Sequence, residues 1–481
     1  MHKLSNRDPL DRRLFLKTGA ATAAGLALTS CADENPDRNV RDKDNGYHVV
    51  IVGAGFAGAT AARELAAKGW RVIVLEARPR VGGRVFTSQF LGRQIELGGS
   101  SVHWVQPHVF AEMQRYGFGF AEVPLYDLDA SYIMLGDGTV KNIAPSTFDE
   151  KYTSAFNKFC ADSRSLFPKP YDPFFNETLH KLESISAEEH LLSLDLDELQ
   201  IASLRAELTL YAGAPISEFS YTSFVKLFAL ASWDTFTFTD SEKHWHIDSG
   251  GTSALVQAIL DDSRATVRLG AVVQEVTDHG DSVSIKLSDG ELVTASTAIF
   301  TLPTKVYPDI NFKSGLSKEK QAFIDNAEMS DGANIYMRTT NNLGNTFCFC
   351  DDPNPFNAVQ TEEFSDETGT ILKATLGRQS LIDLNSFDAV AAELRKIHPN
   401  AELTDVAPYN WVTDPYSKQA WPSYRVGWFS KYKDMAKPEG QLFFAGAATA
   451  DGWHEYIDGA VESGIRAARE AHLRMEKSYA G

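Results

Sequence analysis

Cysteine is scarce in this chain, with four among 481 residues, and that excludes a disulfide-stapled scaffold. Cys348 and Cys350 flank Phe349 in the apolar run Thr346 to Cys350, which reads as a strand. On one face of a strand two such residues stand about 7 Å apart, too far to bridge comfortably. No histidine lies near them, so no metal site is expected, and Cys160 reads as core. Positive charge is also in short supply: 46 Lys and Arg face 64 Asp and Glu, a formal net charge of −18. That balance argues against nucleic acid or an anionic lipid surface as a partner. Past the N-terminus no apolar run is long enough to span a bilayer, and there are no internal repeats. What is present is a globular composition, 43% hydrophobic and 11% aromatic, at a length that calls for two or three domains.

The first 31 residues read as an address. Asp11-Arg12-Arg13-Leu14-Phe15-Leu16-Lys17 precedes a weakly apolar Ala/Gly-rich run to Ser30. This resembles a twin-arginine export signal, too short to be a membrane span. Leu28-Thr29-Ser30-Cys31 resembles a bacterial lipobox, which would make Cys31 a lipid-anchored first residue; ordinary cleavage nearby is the alternative. Residues 32–46 then form a polar linker. The expectation is a periplasmic protein, lipid-anchored if Cys31 is modified.

The densest information follows. Val49-Val50-Ile51-Val52-Gly53-Ala54-Gly55-Phe56-Ala57-Gly58 is an apolar strand, a glycine turn and a helix start, and Glu76 ends a second strand, Arg71 to Leu75. Gly53 makes the turn, Gly55 admits a pyrophosphate, and Gly58 lets helix and strand pack closely. The helix N-terminus favours the anion, and Glu76 stands where a carboxylate accepts the adenosine ribose hydroxyls. A dinucleotide is therefore expected. Further glycine doublets at Gly82-Gly83, before Arg84, and Gly98-Gly99, before Ser100, imply another close backbone approach. A nicotinamide cofactor has no evident need of it; an elongated flavin dinucleotide does. Near the other end, Gln441 to Ala447 delivers a glycine loop onto a helix from Asp458 to Ala468.

Together these motifs resemble the flavin-containing amine oxidase family, along essentially the whole chain from Tyr47 to Ala468. Within the family, Phe56–Glu64, Val102–Gly117, Leu210–Gly213 and Gly452-Trp453-His454 are most similar to the exported bacterial nicotine-oxidising branch. The resemblance implies an α/β protein, a Rossmann-like FAD-binding domain with an interleaved α+β substrate domain. FAD contacts are implied at Gly53, Gly55, Ala57, Gly58 and Glu76, with Gly83 and Arg84 near the phosphates. It also implies Gly99 and Ser100 beside the flavin ring, Val273 against adenine, and Gly446, Ala447 and Ile457 around the ribityl chain and ring. An acid that usually follows the glycine at 446 is replaced by Ala447 and Ala448. The FAD domain is expected to comprise 47–109, 246–305 and 407–475, and the substrate domain 110–245 and 306–406. Arg264 to Val276 reads as strand, and Asp289-Gly290 as a hairpin turn.

The implied chemistry is oxidation of an amine by hydride transfer to flavin N5, giving an imine that water hydrolyses. The family pattern places a steering pair of aromatic rings at Trp421 and Tyr456. Ala420 stands where covalent members carry a cysteine, which implies non-covalent FAD. Other implied pocket residues are Ser101, Leu210, Tyr211, Glu242, Phe349 and Thr375. Ser101 replaces a common tryptophan and adds room. Glu242, the single acid in that set, is also readable as a solvated surface residue. The family's lysine is expected at Pro308 or Asp309 and is missing there, which predicts slow reoxidation by oxygen. The acceptor is then oxygen or a periplasmic c-type cytochrome. The expected substrate is a cyclic or aryl-substituted amine of about nicotine size, not a long polyamine. The competing reading is a flavoprotein that has lost amine oxidation and acts as a redox partner or binding protein. A homodimer is left open.

Overall fold

A strand whose residues are apolar on both faces belongs in the middle of a parallel sheet. The segment Tyr47–Val52 behaves so: all but Tyr47 are buried, and it pairs in parallel with Leu292–Phe300 on one side and Val72–Glu76 on the other. The computed structural model describes residues 46–243 and 245–480, and Arg41–Gly481 forms one compact unit. The twin-arginine motif, Cys31 and all of the 32–46 linker but Gly46 lie outside the described residues. Among the described residues, no helix is long and apolar enough to cross a membrane.

The first sheet runs in the order Asn311–Phe312, Val273–Asp278, Val283–Leu287, Leu292–Phe300, Tyr47–Val52, Val72–Glu76, Thr266–Leu269. The long strand Leu292–Phe300 explains how a third chain segment joins. Its first half is antiparallel to Val283–Leu287, and its last three residues are parallel to Leu442–Phe444. Helix Phe56–Ala66 connects the first two strands and packs against the C-terminal helix Ile457–Ala480 and against Gly251–Ser263. Two sequence expectations need correction. The run from Arg264 to Val276 is two strands, broken by Gly270 at φ +69°, and they pair on opposite sides of the sheet. Asn311–Phe312 also pairs with this sheet, beyond the boundary at 305.

The second sheet has the order Leu403–Tyr409, Ala333–Thr339, Gly369–Leu376, Ala358–Ser365, Thr346–Cys350, Ala130–Met134, Val140–Ile143. Helices Pro145–Phe159 and Glu198–Ala212 pack against part of it. Glu198–Ala212 starts on a reciprocal cap between Asp197 and Gln200 and stops at Gly213, which takes a left-handed conformation. Cys348 and Cys350 are both free and buried, and their Sγ atoms stand 3.6 Å apart. The side chains lean together from one face of the strand, closer than backbone spacing alone suggests, and burial pushes the Cys350 thiol pKa up.

Candidate active site

One cavity of about 600 Å³ touches both sheets and gathers most of the residues singled out from sequence. At one end lies the glycine turn. Gly53 has φ +107°, a conformation side chains resist. A Cβ on Gly58 would fall 2.0 Å from the Gly53 carbonyl oxygen, so this glycine closes helix against turn without itself lining the cavity. Gly55 precedes helix Phe56–Ala66 with no side-chain cap, which leaves the first helical amides for a ligand. Glu76 is buried, and its two carboxylate oxygens accept from the Ala54 and Arg78 backbone N–H groups, both at 2.9 Å. Gly53, Gly55, Ala57, Glu76, Gly83 and Val273 all line this end. These donors, the pinned acid and the glycine cradle fit a dinucleotide.

At the other end the wall comes from many segments. Gly99, Ser100, Ser101, Gly446, Ala447 and Ile457 line it, as do Leu210, Tyr211, Thr375, Trp421 and Tyr456. The Trp421 indole N–H donates to the Leu210 carbonyl at 2.8 Å, and its ring lies so close to Gly332 that a Cβ there would meet it at 2.5 Å. Tyr456 packs edge-on to Trp453, ring centroids 5.2 Å apart.

One of the sequence-implied pocket residues departs from expectation. Phe349 does not line the cavity. It shares a sheet face with Thr375 through Ala358, but helix Pro145–Phe159 covers it, with Phe148 stacked at 5.7 Å and Tyr152 at 5.3 Å. The Arg84 guanidinium donates to the Ala420 carbonyl at 2.6 Å and to Glu455 at 2.5 Å, beside the two aromatic residues. Glu242 belongs to helix Thr235–Lys243, and its side chain is outside the described set.

Several wall residues had not been singled out. Lys373 is buried, donates to Ser100 Oγ at 3.2 Å, and has its pKa lowered by burial. It stands two residues before Thr375 on the same strand face, so period-two reading from Thr375 would have found it. Lys226 is buried, donates to the Gly452 carbonyl at 2.9 Å, and burial lowers its pKa to about 8. Glu207 lies one helical turn before Leu210 and Tyr211 and accepts from the Tyr152 hydroxyl at 3.2 Å. Asp309, one of the two positions expected to hold the family's lysine, lines the cavity and pairs with Lys418 at 2.6 Å. His454 and Glu455 complete this end of the wall.

Residues 56–472 match the family of flavin containing amine oxidoreductases. The chain belongs to that family. It is therefore an oxidoreductase that uses a flavin. It is 44% identical to a nicotine dehydrogenase of Pseudomonas putida, across 97% of this chain and 98% of that one. It is 33% identical to a pseudooxynicotine dehydrogenase of a Pseudomonas species, across 95% of each. Among solved structures it resembles a putrescine oxidase double mutant, with TM-score 0.77, 20% identity, and 89% of this chain and 99% of that chain covered. Cyclohexylamine oxidase from Brevibacterium oxydans gives TM-score 0.76 and 17% identity, covering 90% and 100%. At those identities the structural likeness speaks for the fold.

Proposed function

We propose that the protein oxidises a cyclic or aryl-substituted amine, nicotine-like in size, with FAD held non-covalently in the cavity. The observation that carries this reading is one cavity lined at one end by the glycine turn and Glu76 and at the other by Trp421 and Tyr456. The two relatives named for nicotine and pseudooxynicotine support the substrate class. The bound flavin supplies the hydride acceptor, and the amine leaves as an imine that water hydrolyses. The chain's own residues do the rest. Trp421, fixed by the Leu210 carbonyl and by Gly332, and Tyr456, backed by Trp453, orient the neutral amine. The acids that line the cavity are held by partners of their own: Glu455 by Arg84, Asp309 by Lys418, Glu207 by Tyr152, and Glu76 by backbone amides. That leaves poor anchorage for a polyamine. Ala420, next to Trp421, offers no nucleophile for a covalent flavin bond. The first sheet is the cofactor part and the second sheet with its helices the substrate part.

The electron acceptor is oxygen or a periplasmic c-type cytochrome. Lys373, buried against Ser100 in the cavity wall, bears on the choice: in its protonated form it favours electron transfer to oxygen through charge stabilisation, while burial lowers its pKa. Export through the twin-arginine motif, with an anchor at Cys31 if it is lipidated, belongs to the same proposal. Anaerobic addition of nicotine, pseudooxynicotine and aryl-alkylamines should bleach the flavin; a panel that leaves it yellow returns the protein to the binding-protein reading. Acid precipitation should leave the colour in the supernatant, and colour pelleting with the protein refutes non-covalent attachment.

A further inference from the structure

Behind the aromatic end of the cavity, two buried carboxyl groups and an imidazole come together. Glu328 is 3% exposed, and the Glu455 side chain is 5% exposed. Each carboxylate has one oxygen engaged, Glu328 Oε2 by the Thr304 hydroxyl and Glu455 Oε2 by Arg84. The other oxygen of each, Oε1, is buried without a hydrogen-bond partner, and so is His454 Nε2. On the other side of the ring, His454 Nδ1 lies 2.7 Å from the Tyr424 hydroxyl, which is also 3.2 Å from the Ala448 carbonyl. A proton on Nδ1 leaves Nε2 with a lone pair for a cation. One ligand atom from each of Glu328, His454 and Glu455 lies within 4.8 Å of the other two.

We propose that Glu328, His454 and Glu455 bind a divalent cation of the zinc class. Two carboxylate oxygens and one imidazole nitrogen are a borderline donor set suited to that ion, with a fourth position left for water. Bonds of about 2.0–2.2 Å place tetrahedral ligands roughly 3.5 Å apart, inside the 4.8 Å within which the three ligand atoms now lie. The orienting contacts are in place: Tyr424 on the far nitrogen of His454, Thr304 on Glu328 and Arg84 on Glu455. The cation also offsets two buried carboxyl groups, of which Glu455 is paired with Arg84. A second group of similar composition, His108, Asp458 and Glu462, shows the contrast. There the carboxylates are already satisfied, Asp458 by the His108 and Val109 amides and Glu462 by the Asp451 and Gly452 amides. The site pins Glu455, a non-glycine residue at φ +62° directly before Tyr456, and so fixes the turn that presents that ring. This inference does not depend on which amine is oxidised.

The test is metal content per flavin in the holoprotein, measured by mass spectrometry after incubation with Zn²⁺ and desalting. About one equivalent should remain in the parent protein. Glu328→Gln and His454→Gln should lower retention by more than the 10- to 100-fold that follows loss of an outer-shell partner, with flavin content unchanged. X-ray absorption of the parent alone should show a nitrogen and oxygen shell without sulfur, so the proposal stays testable if the variants fail to fold. A parent that retains no zinc overturns it, since a proton or a water then fills the cluster. Equal retention by parent and folded variants overturns it too, since the zinc is then bound elsewhere.

Discussion

The two ends of the cavity are built on different plans. At the glycine-turn end, most of the structure comes from about thirty consecutive residues. Gly53, Gly55 and Gly58 shape the turn, and Glu76 is clamped by the amides of Ala54 and Arg78. At the aromatic end, Trp421 leans on Leu210 and Gly332, Arg84 reaches Ala420 and Glu455, and Lys373 meets Ser100. The first plan holds a cofactor common to a family; the second assembles a pocket from distant segments that can vary independently. Damage at the first end should therefore remove the flavin, whereas damage at the second should leave it bound and impair its use.

The largest effect is expected from Gly58→Ala. Its Cβ would meet the Gly53 backbone oxygen at 2.0 Å, and backbone cannot step aside as a side chain can. Destabilisation of about 3 kcal/mol should appear with loss of flavin absorbance from the purified protein. Full flavin content in this variant would break the comparison at its simpler end. Glu76→Ala comes next. It strands two buried N–H groups, at roughly 1–3 kcal/mol each, and should weaken FAD binding in a fluorescence titration, with Glu76→Gln intermediate.

At the other end, Trp421→Ala and Tyr456→Ala should keep their flavin and slow its anaerobic reduction by roughly 10- to 100-fold, since orientation is lost. Gly332→Ala sharpens the point, because it displaces the Trp421 ring without removing it. Stopped-flow reduction should slow in that variant as well, at unchanged flavin content.

The smallest effect lies outside the cavity. Burial pushes the Asp351 carboxyl up to about 6 against the opposing pull of Arg205, which it pairs with at 3.0 Å. A carboxyl raised in the folded state favours folding while both states are protonated, and that contribution fades as pH rises from about 4 through 6. Asp351→Asn should therefore gain stability relative to the parent over that window, by on the order of 1 kcal/mol. Urea melts at several pH values measure it; a constant difference would show that Asp351 titrates normally.

How much could be read in advance follows the same division. The strand, turn and helix from Val49 onward, with Glu76 closing the second strand, were legible because local sequence dictates them. Trp421 and Tyr456 were legible only through family resemblance, since a lone aromatic residue carries no signal of its own. Phe349 shows the limit: the family resemblance implied a pocket residue, but the tertiary structure reveals that Phe148 and Tyr152 cover it. Lys373 was within reach of alternation. Glu328 was not, because nothing in its neighbourhood announces that it will meet His454 and Glu455. The single strand read from Arg264 to Val276 missed the turn that Gly270 makes possible.

The most direct test of the proposed activity is a stopped-flow comparison of flavin reduction by nicotine and by spermidine, both without oxygen. A cavity whose lining acids are already held, with Trp421 and Tyr456 at one end, predicts rapid bleaching by the cyclic amine and little or none by the polyamine. Faster bleaching by spermidine would contradict the account.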